Sequence, residues 1–221
     1  MNSLKCTNGG KHAYYRVLRV FYRWFYSARS GYELNPQDNP MLNVDPPKVE
    51  RRLLPSVTSE QVDSLLETAD NIRDKCIVSL FADSGLRLHE MTHIRPEDID
   101  WTDNIITIIG KGNKQRRAPF TYRTAKLLKS YLNNHHVGYN EIWGLSDVGI
   151  EKMLKRLNRE TGIECNPHAF RRGFACNLHR KGLSTLDIMH LGGWSDLSMV
   201  LRYTQSITFE DCLKHYRAAE L

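Results

Sequence analysis

The chain has 221 residues, enough for one large domain or one full domain plus a fragment. Its formal charge of +6 and pI near 9.1 suit a polyanionic partner such as nucleic acid, but they also suit ordinary soluble proteins. Five cysteines in no even, short-spaced framework argue against a disulfide scaffold. With no signal-like apolar run at the N-terminus and no stretch of membrane-spanning length, a soluble, cytoplasmic protein is expected.

In chain order, residues 1–10 are polar and expected to be loose. From Lys11 to about Arg29, Tyr14, Leu18, Phe21 and Phe25 follow helical spacing, with Arg16, Arg19, Arg23 and Trp24 interleaved. An amphipathic helix packed into a core is preferred here over a nucleic-acid helix, because aromatic stripes usually pack. Pro36, Pro40, Pro46, Pro47 and Pro55 then mark an extended connector that cannot sustain a helix, with a boundary near Leu53.

Thr58-x-x-Gln61 opens a helix in capping-box fashion, and Asn71 opens another that puts Ile77, Leu80 and Phe81 inward and closes at Gly85. Arg87 and Glu90 follow one turn apart on a short helix, where a surface ion pair and a functional site are both admissible. Three short strands are expected around Glu97–Trp101, Asn104–Ile109 and Gln115–Phe120, with a tight turn at Gly110-Lys111-Gly112-Asn113. The turn is not a phosphate loop, since it lacks GxxxxGK[ST] and leads into a strand. Amphipathic helices over Thr121–Asn134 and Ser146–Glu160 turn Leu127, Leu128, Leu132, Met153, Leu154 and Leu157 inward. Their Lys126, Lys129, Lys152, Lys155 and Arg156 read as a solvated face and, secondarily, as contacts to a DNA backbone.

Asn166 can cap the next helix, Pro167 suits its first turn and Gly182 can close it. His168 and Arg171 then share one face at its N-terminal end. Free backbone N–H groups, the helix dipole and an arginine fork there favour an anion such as phosphate. Phe170, Phe174 and Leu178 point the other way, into a core. Ser184-x-x-Asp187 opens a further helix that stops at Gly192-Gly193, and Trp194 and Tyr203 follow nine residues apart. Phe209, Leu213 and Tyr216 mark a short final helix. Cys165-x-x-His168 and Cys176-x-x-His179 invite a zinc reading. It is set aside because four ligands strung mainly along one continuous helix cannot fold around a tetrahedral ion.

His168-x-x-Arg171, Leu191-Gly192-Gly193-Trp194 and Met199-Val200-Leu201-Arg202-Tyr203, together with Arg87 in SGLRLHE and Lys111 in IIGKGNKQR, resemble the signature of the tyrosine recombinase (phage integrase) family. The resemblance covers roughly residues 53–218. It implies a mainly α catalytic domain with a small three-stranded antiparallel β-sheet. It also implies a catalytic set of Arg87, Lys111, His168, Arg171, Trp194 and Tyr203, supported by Glu90. Trp194 stands where most members carry a second histidine, and Gly193 is an added residue beside it; some members carry tryptophan there.

By the same resemblance, Tyr203 attacks a DNA phosphodiester to give a 3′-phosphotyrosine and Lys111 is the general acid. Residues 1–29 would be the remnant helix of an N-terminal DNA-clamping domain, 30–52 a linker and 53–221 the catalytic domain. The implied partners are double-stranded DNA and further copies of the chain, as a tetramer on DNA. No metal, cofactor, small-molecule substrate or membrane is implied. A type IB topoisomerase-like relaxase and a non-cutting DNA-binding remnant are the alternatives.

Overall fold

The computed structural model describes residues 5–49, 54–109, 115–135 and 140–219. The chain divides into two compact units, Met1–Arg52 and Leu53–Leu221. Lys111 and the hairpin tip around it lie outside the described residues.

In the first unit Thr7 caps α1 (Asn8–Phe25) by accepting from the Gly10 amide at 3.3 Å. The helix lies earlier than expected, starting at Asn8 within the stretch read as loose and ending at Phe25, and its aromatic stripe is not the inside of a core. Tyr14, Leu18, Phe21 and Trp24 are exposed and only Tyr15 is buried. Among its described residues the unit offers α1 three short 3-10 turns, at Ala28–Ser30, Pro36–Asp38 and Pro40–Asn43, which are too little to cover an aromatic face. Part of the stripe instead packs on itself, with Phe21 stacked on Phe25 at 5.7 Å.

The second unit is mostly helical with a small three-stranded antiparallel sheet. The capping box of Thr58 and Gln61 starts α2 (Ser59–Thr68), and Asn71 caps α3 (Ile72–Ser84), which closes on left-handed Gly85. After α4 (Leu88–Thr92) comes the sheet: β1 (Ile99–Asp100), β2 (Ile105–Ile109) and β3 (Gln115–Pro119), in that order, with Ile106 opposite Ala118 and Ile108 opposite Arg116. The first strand is shorter than the sequence suggests. Pro96–Asp98 forms a 3-10 turn, held by Asp98 accepting from the Arg95 amide, so only two residues remain to pair.

Next come α5 (Tyr122–Asn133) and α6 (Asp147–Thr161). Arg156 is not simply solvated: it pairs with Asp70 and with buried Asp74 (2.8 Å), tying α6 to the start of α3. The chain ends in α7 (Pro167–Arg180), α8 (Thr185–Gly192), α9 (Leu197–Tyr203) and α10 (Phe209–Ala218).

The side chains of α7 serve two cores. Ala169 and Phe170 belong to the main core with Phe81, Leu86 and Met91. Phe174 and Ala175 belong to a second cluster with Ile188, Trp194 and Val200, against which Tyr203 packs. The helix that carries Arg171 therefore joins the body of the unit to the segment that carries the tyrosine.

Candidate active site

The site begins at the end of α3. Gly85 adopts φ 56°, and a side chain there would meet the Phe174 ring at 2.7 Å, so the chain turns tightly enough to bury Leu86 and present Arg87 as the N-cap of α4. The Arg87 amide donates to one Glu90 oxygen and its guanidinium to the other, both at 2.7 Å. The exposed ion pair admitted from the sequence is only half the arrangement, because Glu90 is buried and a second arginine reaches it from the sheet. Arg116 donates to the same carboxylate through Nη2 (2.7 Å) and Nε (3.3 Å). Burial works against the Glu90 charge, but the hydrogen bonds and charge of Arg116, and then the bonds from Arg87, outweigh it and hold the carboxyl at about 2.

Arg116 was not singled out from the sequence, although a signal exists. It alternates with Ala118 and Phe120, both buried, so it shares the inward face of β3 while Arg117 faces out. Its Nη1 is buried with no hydrogen-bond partner among the described residues. Its aliphatic stem lies against Gly193, where an added Cβ would fall 2.4 Å from Arg116 Cδ and where φ is 62°. The glycine beside Trp194 thus makes room for this arginine.

Arg171 was expected on an open face, yet it is only 3% exposed. Its guanidinium donates to the carbonyl of Gly85 at the end of α3 and to that of Gly192 at the end of α8 (2.8 Å), where two helix termini present unsatisfied, partially negative oxygens. The Trp194 ring covers it at 4.2 Å, and the Tyr203 ring meets Trp194 edge-on at 5.6 Å. Burial first, and then the like charges of Arg87 and Arg116, pull Arg171 down to about 10, so it stays charged at neutral pH.

Tyr203 ends α9, half-buried, and its carbonyl accepts from the Cys176 thiol at 3.0 Å. His168 is exposed one turn before Arg171, and no hydrogen bond joins it to Tyr203 among the described residues. The structure thus gathers Arg87, Glu90, Arg171, Trp194 and Tyr203, adds Arg116, and leaves His168 at the rim. The cysteines of the zinc reading are spent elsewhere, with the Cys165 thiol on the Leu154 carbonyl and that of Cys176 on Tyr203. Chemically, two guanidiniums share one carboxylate while a third, Arg171, feels their charge and that of the phenol, and the surplus of positive charge suits holding a phosphate while a tyrosine attacks it.

A sequence profile of the phage integrase family matches residues 55–208. The chain belongs to this family. Among its members, the tyrosine recombinase XerC of Chlamydia caviae is 30% identical over 185 residues, 76% of this chain and 59% of that protein. XerA of Thermococcus kodakarensis is 30% identical over 207 residues, 88% and 73% of the two chains. The chain spans about three fifths of the length of the first of these, and the same 59% of XerA from Saccharolobus solfataricus.

Solved structures share the fold. The crystal structure of XerA recombinase superposes with a TM-score of 0.68 at 23% identity, over 98% of this chain and 85% of that one. XerH bound to a palindromic difH substrate in a post-cleavage complex superposes with a TM-score of 0.76 at 17% identity, over 97% and 67%. Among the described residues no helix is long and apolar enough to cross a membrane.

Proposed function

We propose that residues 53–221 form the catalytic domain of a site-specific DNA recombinase that cuts and rejoins double-stranded DNA through Tyr203. The observation that carries this reading is Tyr203 set edge-on against Trp194, whose ring covers Arg171, in the positive field of Arg87 and Arg116. In this reading Arg87 and Arg171 hold the non-bridging oxygens and stabilise the pentacoordinate transition state. The Tyr203 oxygen bonds to phosphorus as the bond to the 5′-oxygen breaks. Lys111 gives the departing oxygen its proton, and His168 positions or deprotonates the tyrosine. Trp194 walls the pocket and offers its indole N–H to the phosphate. Glu90 orients Arg87. The phosphotyrosine conserves the energy of the broken ester, so the reverse step needs no ATP, and the cations supply the charge a metal would otherwise bring.

Residues 1–29 are proposed as part of a DNA-clamping domain, 30–52 as its linker, and the working assembly as a tetramer on DNA within the cytoplasm. The DNA named with the solved XerH structure and the mobile-element integrase structures of this fold supports the choice of partner. The test is a nicked duplex that traps the covalent intermediate. The wild-type chain is expected to give a protein–DNA adduct resistant to denaturant. Tyr203→Phe is expected to give none while binding DNA within about twofold of wild type, since only a hydroxyl is lost. Adducts from the Phe variant refute the assignment of the nucleophile.

A further inference from the structure

On α4 the sequence reads His89-Glu90-Met91-Thr92-His93, with the two imidazoles at i and i+4 and their rings 4.0 Å apart. Packing of α4 on α6 brings Asp147, the first residue of α6, to the same place: its Oδ2 lies 3.6 Å from His89 Nδ1. One donor atom from each of His89, His93 and Asp147 lies within 4.8 Å of the other two. We propose that these three side chains form a binding site for a borderline divalent cation of the zinc type, which ties α4 to the N-terminus of α6.

Zinc takes nitrogen and carboxylate oxygen at about 2.0–2.2 Å, so tetrahedral ligand atoms stand roughly 3.4 Å apart. The His89–Asp147 pair is already near that spacing. Both histidines are exposed, and the His89 ring, which makes no hydrogen bond among the described residues, can swing inward to close the remaining gap.

For His93 and Asp147, the atom that does not face the ion is already engaged. His93 Nδ1 lies 2.8 Å from the carbonyl of His89. A carbonyl can only accept, so the proton is on Nδ1 and the Nε2 lone pair is free for a metal. Asp147 Oδ1 accepts from the Thr92 hydroxyl at 2.5 Å, which aims Oδ2 at the histidines. Such partners, holding the far side of a ligand, fix its orientation and raise affinity. Thr92 is itself buried, so this support is part of the packed unit.

The His-Glu-x-x-His order also serves hydrolytic zinc enzymes, in which the glutamate is the base. That role is closed here, because Glu90 turns away from the histidines to Arg87 and Arg116 and is held ionised between them. The cation would have three protein ligands and an open position for water. Its effect would be to brace the short helix that carries Glu90.

The experiment uses the full chain without DNA. Because Cys6 and Cys212 are exposed thiols, the parent is the Cys6→Ser/Cys212→Ser protein. Titration with Zn2+ by calorimetry, and with Co2+ by its visible ligand-field bands, is expected to show one equivalent bound and a rise in melting temperature with Zn2+. His93→Ala and Asp147→Asn are expected to lose the bands and the rise. Thr92→Val, which keeps all three ligands and loses only the supporting hydroxyl, is expected to bind about tenfold more weakly. Melting without metal checks that each variant is folded. A parent that binds no Zn2+ at 100-fold molar excess, or His93→Ala and Asp147→Asn proteins that bind within twofold of the parent, overturns the proposal. Neither result depends on whether Tyr203 cuts DNA.

Discussion

Replacing Glu90 by Gln removes the charge between Arg87 and Arg116 while keeping the shape, and its cost can be worked from the structure. The Glu90 carboxyl is held at about 2, against an ordinary 4.5. A gap of about 2.5 pH units is worth about 3 kcal/mol at 1.36 kcal/mol per unit. Arg87 is half exposed, so solvent screening reduces this to about 2 kcal/mol. The sign follows from the depressed value. The stabilisation is fully present above the unfolded-state range near 4.5 and is lost as the pH falls toward 2. Urea unfolding of wild type and Glu90→Gln should therefore differ by about 2 kcal/mol at pH 7 and by less than about 1 kcal/mol at pH 3. Other acidic groups titrate in both proteins and cancel in the difference. A gap that is absent at pH 7, or unchanged between pH 7 and pH 3, refutes the view that this carboxylate is the ionised hub of the site.

Gly193→Ala forces a Cβ into a left-handed position 2.4 Å from Arg116 Cδ, so it should destabilise by about 1–3 kcal/mol in urea and lower adduct formation by moving Arg116 off Glu90. Adduct formation on a nicked duplex should persist in excess EDTA, because arginine and lysine supply the positive charge; loss on chelation with recovery in Mg2+ would mark a nuclease mechanism. Deleting the residues after Ser206 should weaken assembly on DNA, read by native gel shift, and change cleavage together with it. The deletion removes α10, whose Phe209 and Tyr216 are exposed, and that helix follows Tyr203 after a single 3-10 turn.

The parts of the fold legible in the sequence were those decided within one helical turn. The capping boxes at Thr58 and Ser184, the Asn71 and Asn166 caps and the glycine stops are local chemistry, and each lies where the residues place it. The signature residues were legible for a different reason, their order along the chain. Burial and partnership that depend on distant backbone were not legible. Arg171 looks like an exposed anion ligand on its own helix, and it is buried because Gly85 and Gly192, 86 and 21 residues away, bring carbonyls to it. Arg156 looks like part of a solvated stripe until Asp70, from the connection between α2 and α3, and Asp74, from α3, arrive. Asp147 comes near His89 and His93 only because α6 packs on α4, which Trp143 helps to seat by donating to the Met91 carbonyl at 2.7 Å.

Gly193 and Arg116 show how the two kinds of information meet. By residue order Gly193 is an insertion beside Trp194, with no chemistry of its own. In space it is the surface against which the Arg116 stem lies, and Arg116 is the stronger of the two partners that keep Glu90 ionised. The same turn places the Gly192 carbonyl on Arg171 and the Trp194 ring over it. One tight left-handed turn at the end of α8 therefore sets an arginine from the sheet, an arginine from α7 and the aromatic wall next to Tyr203. A substitution in that turn should disturb all three together, whereas one at exposed His168 should leave the packing of the cluster intact.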